Sequence, residues 1–268
     1  MLERSLKMIL VAFHKEYPYS KSEIFKPIHV GKALSRVELP MISDMDGEDH
    51  ISEKNKNYCE LTAMYWAWKN LPLQNLPFIG FMHYRRFLNF DQTALGSFLH
   101  GFSPYEKVKK VMRTATEWSG IYNDSHGEKI NHYLNTHDVL LPRKFYKKRL
   151  SPKDDFAQAH YKEDWEVFEK VIRDGYPHYF PTFEKEFLKQ PARVYIYHIF
   201  IMKPDLFRSY MQWLFDVLSK MEGKLKAEKS SDVYQARVYG FLGERLLHLF
   251  VTHHQLKVKE LQTIFIED

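Results

Sequence analysis

The chain has 268 residues, 44% of them hydrophobic and 27% charged, with a formal charge of +5 and one cysteine. That length suits one large α/β domain, while a lone cysteine excludes an internal disulfide and any cysteine-rich metal site. The mild basic excess suits an anionic ligand or an anionic membrane surface, and without a recognisable reading motif it argues against a dedicated nucleic-acid binder.

Met1–Leu10 has no run long enough for a signal h-region, and no window nears ~18 uninterrupted apolar residues. The expected location is therefore cytoplasmic, with peripheral contact at the inner membrane face. Aromatics reach 16%, which leaves ring surface to spare for stacking on bases or sugars.

Lys7–Phe13 reads as a buried first strand. It ends in His14-Lys15-Glu16-Tyr17-Pro18, where His14 and Tyr17 are placed to meet a base or ribose, or simply to close a strand end. Pro27–Leu34 has the pattern of a short helix and Val37–Ile42 that of a second strand. The acidic turn Ser43–Asp49 contains Asp44 and Asp46 in an Asp-x-Asp spacing. Their hard oxygens suit Mn2+ or Mg2+, although such pairs also occur in plain acidic loops. A calcium loop is excluded because Asn55 stands where the bidentate glutamate belongs.

Asn57-Tyr58-Cys59-Glu60 has the form of a capping box, with Asn57 as N-cap and Glu60 at the third helical position. The helix after it carries Leu61, Met64, Tyr65 and Trp68 on one face and stops near Asn70. Trp66 and Trp68 cannot both face one core, so one is expected at a surface or cleft.

Phe78–His83 is a continuous apolar run, as in a strand buried on both faces of a parallel sheet. It leads directly into His83-Tyr84-Arg85-Arg86. Ligands of open α/β sheets bind beyond such carboxyl ends, and paired guanidinium groups suit phosphate oxygens. The competing reading is a pair of arginines that are solvated or bonded to carboxylates at the core edge. Strand, helix, strand, helix, strand is the order predicted to this point, which implies right-handed parallel crossovers.

Tyr105–Trp118 reads as a basic helix and residues 119–131 as a loop. Thr136–Pro142 reads as a short strand ended by proline. The charge run Arg143–Arg149 is a solvated face, or alternatively a contact for anionic headgroups. A helix is expected over Phe156–Arg173 with Asp164, Glu166 and Glu169 outward, and another over Tyr179–Leu188. Val194–Met202 is the most β-like stretch of the chain. From Pro204 to Met221 an apolar stripe marks a core-facing helix, followed by a mobile lysine- and serine-rich loop, Gly223–Asp232. In Arg237–Phe250 two glycines precede an apolar helix. A start near Gly243 would put Glu244 in the first turn, favoured by the helix dipole. Arg245, beside the apolar stripe, needs a buried anion or carbonyl. Leu256–Ile266 closes the pattern as a strand.

Several strings carry a resemblance when taken together: F-H-K-E-Y-P at 13–18, I-S-E-K-N-K-N-Y-C-E-L-T-A-M-Y-W-A-W-K-N at 51–70, G-F-M-H-Y-R-R-F at 80–87, H-D-V-L-L-P at 137–142, I-F-I-M-K-P-D-L-F at 199–207, W-L-F-D-V-L at 213–218 and R-V-Y-G-F-L-G-E-R-L at 237–246. Over nearly the whole chain this resembles a bacterial family of capsular-polysaccharide and lipopolysaccharide synthesis proteins, catalogued as a domain of unknown function and regarded as glycosyltransferases.

The resemblance implies a GT-A-like α/β fold with a mostly parallel central sheet flanked by helices and a helix-rich C-terminal half. Residues 1–268 would form a single domain, with 1–90 as a nucleotide-binding half and 91–268 on the acceptor side. The implied activity is nucleotide-sugar dependent transfer to a saccharide or lipid-linked saccharide. His14, Lys15 and Tyr17 would bind the nucleotide, and His83, Tyr84, Arg85, Arg86 and Arg245 the donor diphosphate. Glu244 would be the base if the reaction inverts configuration and would orient donor or acceptor if it retains it, and Glu60, Trp66, Asp138 and His198 would contact substrate. Asp44 and Asp46 are the only metal candidates. The central strand ends in arginines, not in Asp-x-Asp, and His198 stands where an asparagine is expected. The rival class is a non-catalytic glycan- or nucleotide-binding subunit.

Overall fold

The computed structural model describes residues 8–92, 108–112, 114 and 120–267. At its centre is β1 (Met8–Phe13), buried at every position. Alternate residues serve opposite faces, as the pleat requires: Met8, Leu10 and Ala12 enter one hydrophobic cluster, and Ile9, Val11 and Phe13 the other. β1 runs parallel to β2 (Phe25–His29) on one side and to β4 (Ile79–His83) on the other. β3 (Ile42–Ser43) adds beyond β2.

On the far side of β4 lies β10 (Phe200–Met202), antiparallel to it and to β7 (Val139–Pro142). β11 (Val258–Leu261) is parallel to β7. The order is β11-β7-β10-β4-β1-β2-β3, mostly parallel, with β10 alone reversed. The sheet thus takes strands from both sides of residue 90. Gly80 lets β10 approach: a Cβ there would lie 2.7 Å from Ile201 Cγ1 and 2.9 Å from the Phe200 carbonyl oxygen.

β5 (Arg86–Leu88) turns back from β4 and pairs with β12 (Thr263–Glu267), which also pairs with β6 (Lys109–Met112). A separate ribbon joins β8 (Phe145–Lys147) to β9 (Ala192–Val194). One sheet face is covered by helices at Leu61–Asn70, Lys162–Gly175, Phe180–Phe187, Pro204–Met221 and Val238–His253, the other mainly by His126–Leu134.

Several expectations need correction. Residues 25–29 are a strand, and only Lys32–Leu34 coils, as a single 3-10 turn. Ile42–Ser43 is the whole of the second expected strand. Lys109–Met112 is a strand where a basic helix was expected, and the rest of that segment lies almost wholly outside the described residues. A helix begins at His126, inside the expected loop. The helix expected over Phe156–Arg173 is two, Pro152–Ala159 and Lys162–Gly175. Asp164 faces inward and accepts from the backbone N–H groups of Lys226 and Ala227 at 2.5 and 3.2 Å, which pins the loop expected to be mobile.

The helix holding Glu244 starts at Val238. Glu244 therefore sits two turns in, beyond the reach of the N-terminal dipole. The capping box is also absent: Asn55–Tyr58 is a short helix, the chain breaks at Cys59 with φ 52°, and Asn57 donates to the Ala236 carbonyl at 2.7 Å. Two of these misses share a cause. At Asp164 and Asn57 a local pattern is overridden by a tertiary partner.

Candidate active site

β1 and β4 end side by side, with Ala12 opposite His83. Beyond them opens a cavity of about 560 Å3, at the edge where open α/β sheets bind ligands. The strand ends contribute His14, Val30, His83, Tyr84, Arg85 and Arg86, and the facing wall Asn55, Lys56, Cys59, Glu60, Val233 and Arg237. A second cavity of about 380 Å3 shares Glu60, His83, Arg86 and Arg237 with the first and continues past Tyr197, Glu244 and Arg245. The two are arms of one cleft, joined at those four side chains.

The arginine-rich end of β4 is a tight turn. His83 pairs with Arg86 across it, so their side chains share a sheet face. The Arg86 guanidinium lies 4.9 Å from the Tyr197 ring and 5.5 Å from Phe265, and Arg85 lies 5.4 Å from Phe265. Tyr84 gathers the nucleotide candidates: His14 and Tyr17 meet its ring edge-on at 5.2 and 4.9 Å, and Lys15 Nζ lies 5.7 Å from its centroid. Of these three only His14 lines the cavity.

Opposite stands an unusual dipeptide. Tyr197 and His198 have φ of 80° and 45°, which splits the most β-like stretch into β9 and β10. Left-handed backbone costs of order 1–3 kcal/mol at a non-glycine residue and persists only where surroundings impose it. Here three side chains impose it. His83 Nε2–H donates to the Tyr197 carbonyl, Glu244 Oε1 accepts from the Tyr197 N–H at 2.9 Å, and Glu60 Oε1 accepts from His198 Nδ1–H at 3.0 Å. Asparagine and histidine both tolerate left-handed φ better than most residues, which accounts for His198 at a place where asparagine was expected. Arg245 donates to the Phe241 carbonyl at 3.1 Å and to Glu244 Oε2 at 2.8 Å, the carbonyl and anion its position demanded.

Electrostatically the first arm is positive. Burial, then the charges of Lys15 and Arg237, push the His14 imidazole below its ordinary range. His83 is also lowered, chiefly by burial. For Glu60, burial works upward, but the His198 hydrogen bond and the His83 charge outweigh it and hold the carboxyl near 2, ionised at neutral pH. Cys59 is pushed up to about 12, first by burial and then by Glu60, so it stays a thiol, with Arg237 Nε–H donating to its sulfur at 3.3 Å.

Four expected site residues lie elsewhere. Asp44 is fully buried and accepts from the N–H groups of Gly31 and Lys32 at 2.6 and 3.1 Å, from Ser52 Oγ at 2.6 Å and from Thr62. Asp46 accepts from Ser43 N and Oγ at 2.8 and 2.7 Å. The lone pairs of Asp44 are spent on the chain, which leaves it none for a cation, and neither aspartate lines the cleft. Trp66 is buried, its indole N–H bonded to the Asp46 carbonyl; Trp68 is half-buried, stacked on Phe215. Asp138 precedes β7 at the opposite sheet edge and accepts from Lys257 N at 2.7 Å.

Conversely, Arg237, Cys59, Asn55 and Lys56 line the cleft without having been singled out. Arg237 had a signal, since it lies seven residues before Glu244 and so falls on the same helix face.

A mostly parallel α/β sheet with a cationic cleft at its carboxyl edge has the architecture in which open α/β sheets bind ligands. One solved structure, "WbbM bifunctional glycosyltransferase apo structure", matches at a TM-score of 0.83 and 30% identity over 99% of this chain. The match covers 46% of that protein, so this chain spans about half its length. Residues 8–255 match the family described as Domain of unknown function (DUF4422), and the chain belongs to that family. Comparison with curated proteins gave no significant match. No helix among the described residues is long and apolar enough to cross a membrane.

Proposed function

We propose that this protein transfers a sugar from a nucleotide-activated donor to a saccharide or lipid-linked saccharide in the synthesis of a capsular or lipopolysaccharide glycan. One observation carries the reading: Arg85, Arg86, Arg237 and Lys56 converge on the cavity at the ends of β1 and β4, in a chain whose fold matches a glycosyltransferase. Fixed cations there balance the donor diphosphate and the leaving nucleotide. This assigns to guanidinium groups the work that a metal does elsewhere, and Mn2+ or Mg2+ is not required. The base and ribose lie toward His14 and Tyr84.

Glu60, ionised at the junction of the arms, opposes positive charge as it develops on the sugar ring. Glu244 lines the second arm. Its two oxygens accept from Tyr197 and Arg245, which weakens it as a base. Its role in this reading is to position the Tyr197–His198 turn that backs the reacting centre.

A thermal-shift panel of UDP, GDP, CDP, ADP and dTDP, with and without Mn2+, tests the donor site. At least one should raise Tm without metal, with affinity about tenfold weaker in Arg85→Ala and Arg237→Ala. If none binds, the reading fails. Binding without hydrolysis or transfer of the matching nucleotide-sugars would support the non-catalytic alternative.

A further inference from the structure

The two arms differ in charge. Arg85, Arg86, Arg237 and Lys56 face the first, against one carboxylate, Glu60. In the second, Arg86, Lys147, Arg237 and Arg245 are set against three, Glu60, Asp155 and Glu244. Lys147 pairs with Asp155, and Arg245 with Glu244. The first arm is thus an anion site, and the second is close to electrically balanced.

The second arm is also walled by rings. His160 stacks on Phe241 with centroids 4.2 Å apart and planes at 29°, and on Tyr234 at 5.5 Å and 21°. Tyr234 and Phe241 are 5.1 Å apart. His160 is lowered to about 4, by burial and then by Arg245, so this ring is neutral at physiological pH. Tyr234 is 50% exposed and neighbouring Val233 76%, although both line the cleft. Exposed rings gathered along a cleft wall, unlike single apolar residues scattered on a surface, are what a ligand-binding groove presents.

We infer that the second arm is the acceptor subsite, taking an uncharged pyranoside whose C–H face lies on the Tyr234–His160–Phe241 platform. Its hydroxyls meet the Lys147–Asp155 and Glu244–Arg245 pairs. A sugar face is apolar and faintly positive and its rim is hydroxylated, which is the complement of ring faces edged by paired charges. A phosphorylated or carboxylated sugar would gain little from Lys147 and Arg245, the cations that belong to this arm alone, because each is already paired with a carboxylate. This inference rests on the transferase reading for the name acceptor, but the subsite is testable apart from it.

The probes are the methyl glycosides of glucose, galactose, mannose and rhamnose, with glucuronate and glucose 1-phosphate as charged controls. Binding to the full-length protein is followed by saturation-transfer-difference NMR. At least one neutral glycoside should bind, weakened about tenfold in Tyr234→Ala and within about twofold of wild type in Tyr234→Phe, which keeps the ring. Tyr234 is a surface residue, so its variants should fold, and unchanged Tm values would confirm that.

The proposal is overturned if no neutral glycoside binds, if only the charged sugars do, or if Tyr234→Ala leaves affinity intact. Nucleoside diphosphate binding, measured on the same proteins, should be unaffected by Tyr234→Ala. Glycoside binding without any nucleotide binding would sink the donor reading and leave this subsite standing. Nucleotide binding without glycoside binding would do the reverse.

Discussion

Gly243 lies directly beneath the imidazole of His198: a Cβ on Gly243 would fall 2.6 Å from Cε1 and 2.9 Å from Nε2. The glycine does not start a helix. It lets a buried histidine lie flat against the helix that carries Glu244. Alanine in a helix is ordinarily better than glycine by about 1 kcal/mol. Here overpacking of roughly 1–3 kcal/mol should reverse the sign. Gly243→Ala is expected to lower Tm by a few degrees in calorimetry and to reduce transferase activity. Gly175→Ala, whose nearest new contact is Lys220 Cδ at 3.8 Å, should leave Tm unchanged or raised.

The buried Asp44 carboxylate predicts a different loss. Asp44→Ala strands two backbone N–H groups and two hydroxyls without an acceptor, and should cost about 3 kcal/mol or more in urea unfolding. The loss should be the same with EDTA as with Mn2+, because the donors come from the chain itself. A loss that appears only when Mn2+ is present would restore a metal at this turn.

Arg86 stands against the rings of Tyr197 and Phe265, so its charge is held by stacking as much as by attraction. A lysine keeps the charge but not the planar fork. Arg86→Lys is expected to weaken nucleoside diphosphate binding by about tenfold, almost as much as Arg86→Ala. Isothermal titration would show it, and full affinity in the lysine variant would mean that charge alone suffices.

His248 supplies a pH dependence. It is fully buried, with Nε2 3.2 Å from Glu186 Oε2. Burial, aided by the charge of Lys144 and against the pull of Glu186, lowers it to about 4. The folded state therefore resists a proton that the unfolded chain accepts near 6.5. Stability is complete above that value and should fall as pH drops from about 6.5 toward 4, by on the order of 2–3 kcal/mol from this group. Urea midpoints measured across that range, with His248→Gln as the flattened reference, would check it.

The buried frame was legible because runs such as Met8–Phe13 and Ile79–His83 have no other use than a two-sided sheet. The stripe from Phe207 to Met221 was equally plain, since its spacing closes only on a helix. At the site, what failed was a contact across distance. Glu60 has the spacing of a cap and instead bonds His198. Asp164 has the look of an outward, solvated helix position and instead accepts from Lys226 and Ala227. Tyr197 and His198 sit in the strongest β pattern of the chain and are bent into left-handed backbone by His83, Glu60 and Glu244. No local window contains those partners. The arginines of the site were visible as a cluster. The second arm was not, because its rings come from segments around 160, 234 and 241 that meet only in the fold.

The stacking of Arg85 and Arg86 on Phe265 has a bearing on how the protein is made. The arginines leave the ribosome early, at the turn after β4. Tyr84 and Tyr197 offer them one ring each, but the ring they share is on β12, translated long afterwards, which must slot between β5 and β6. The cationic edge of the cleft therefore reaches its finished geometry only when the last strand of the sheet is in place.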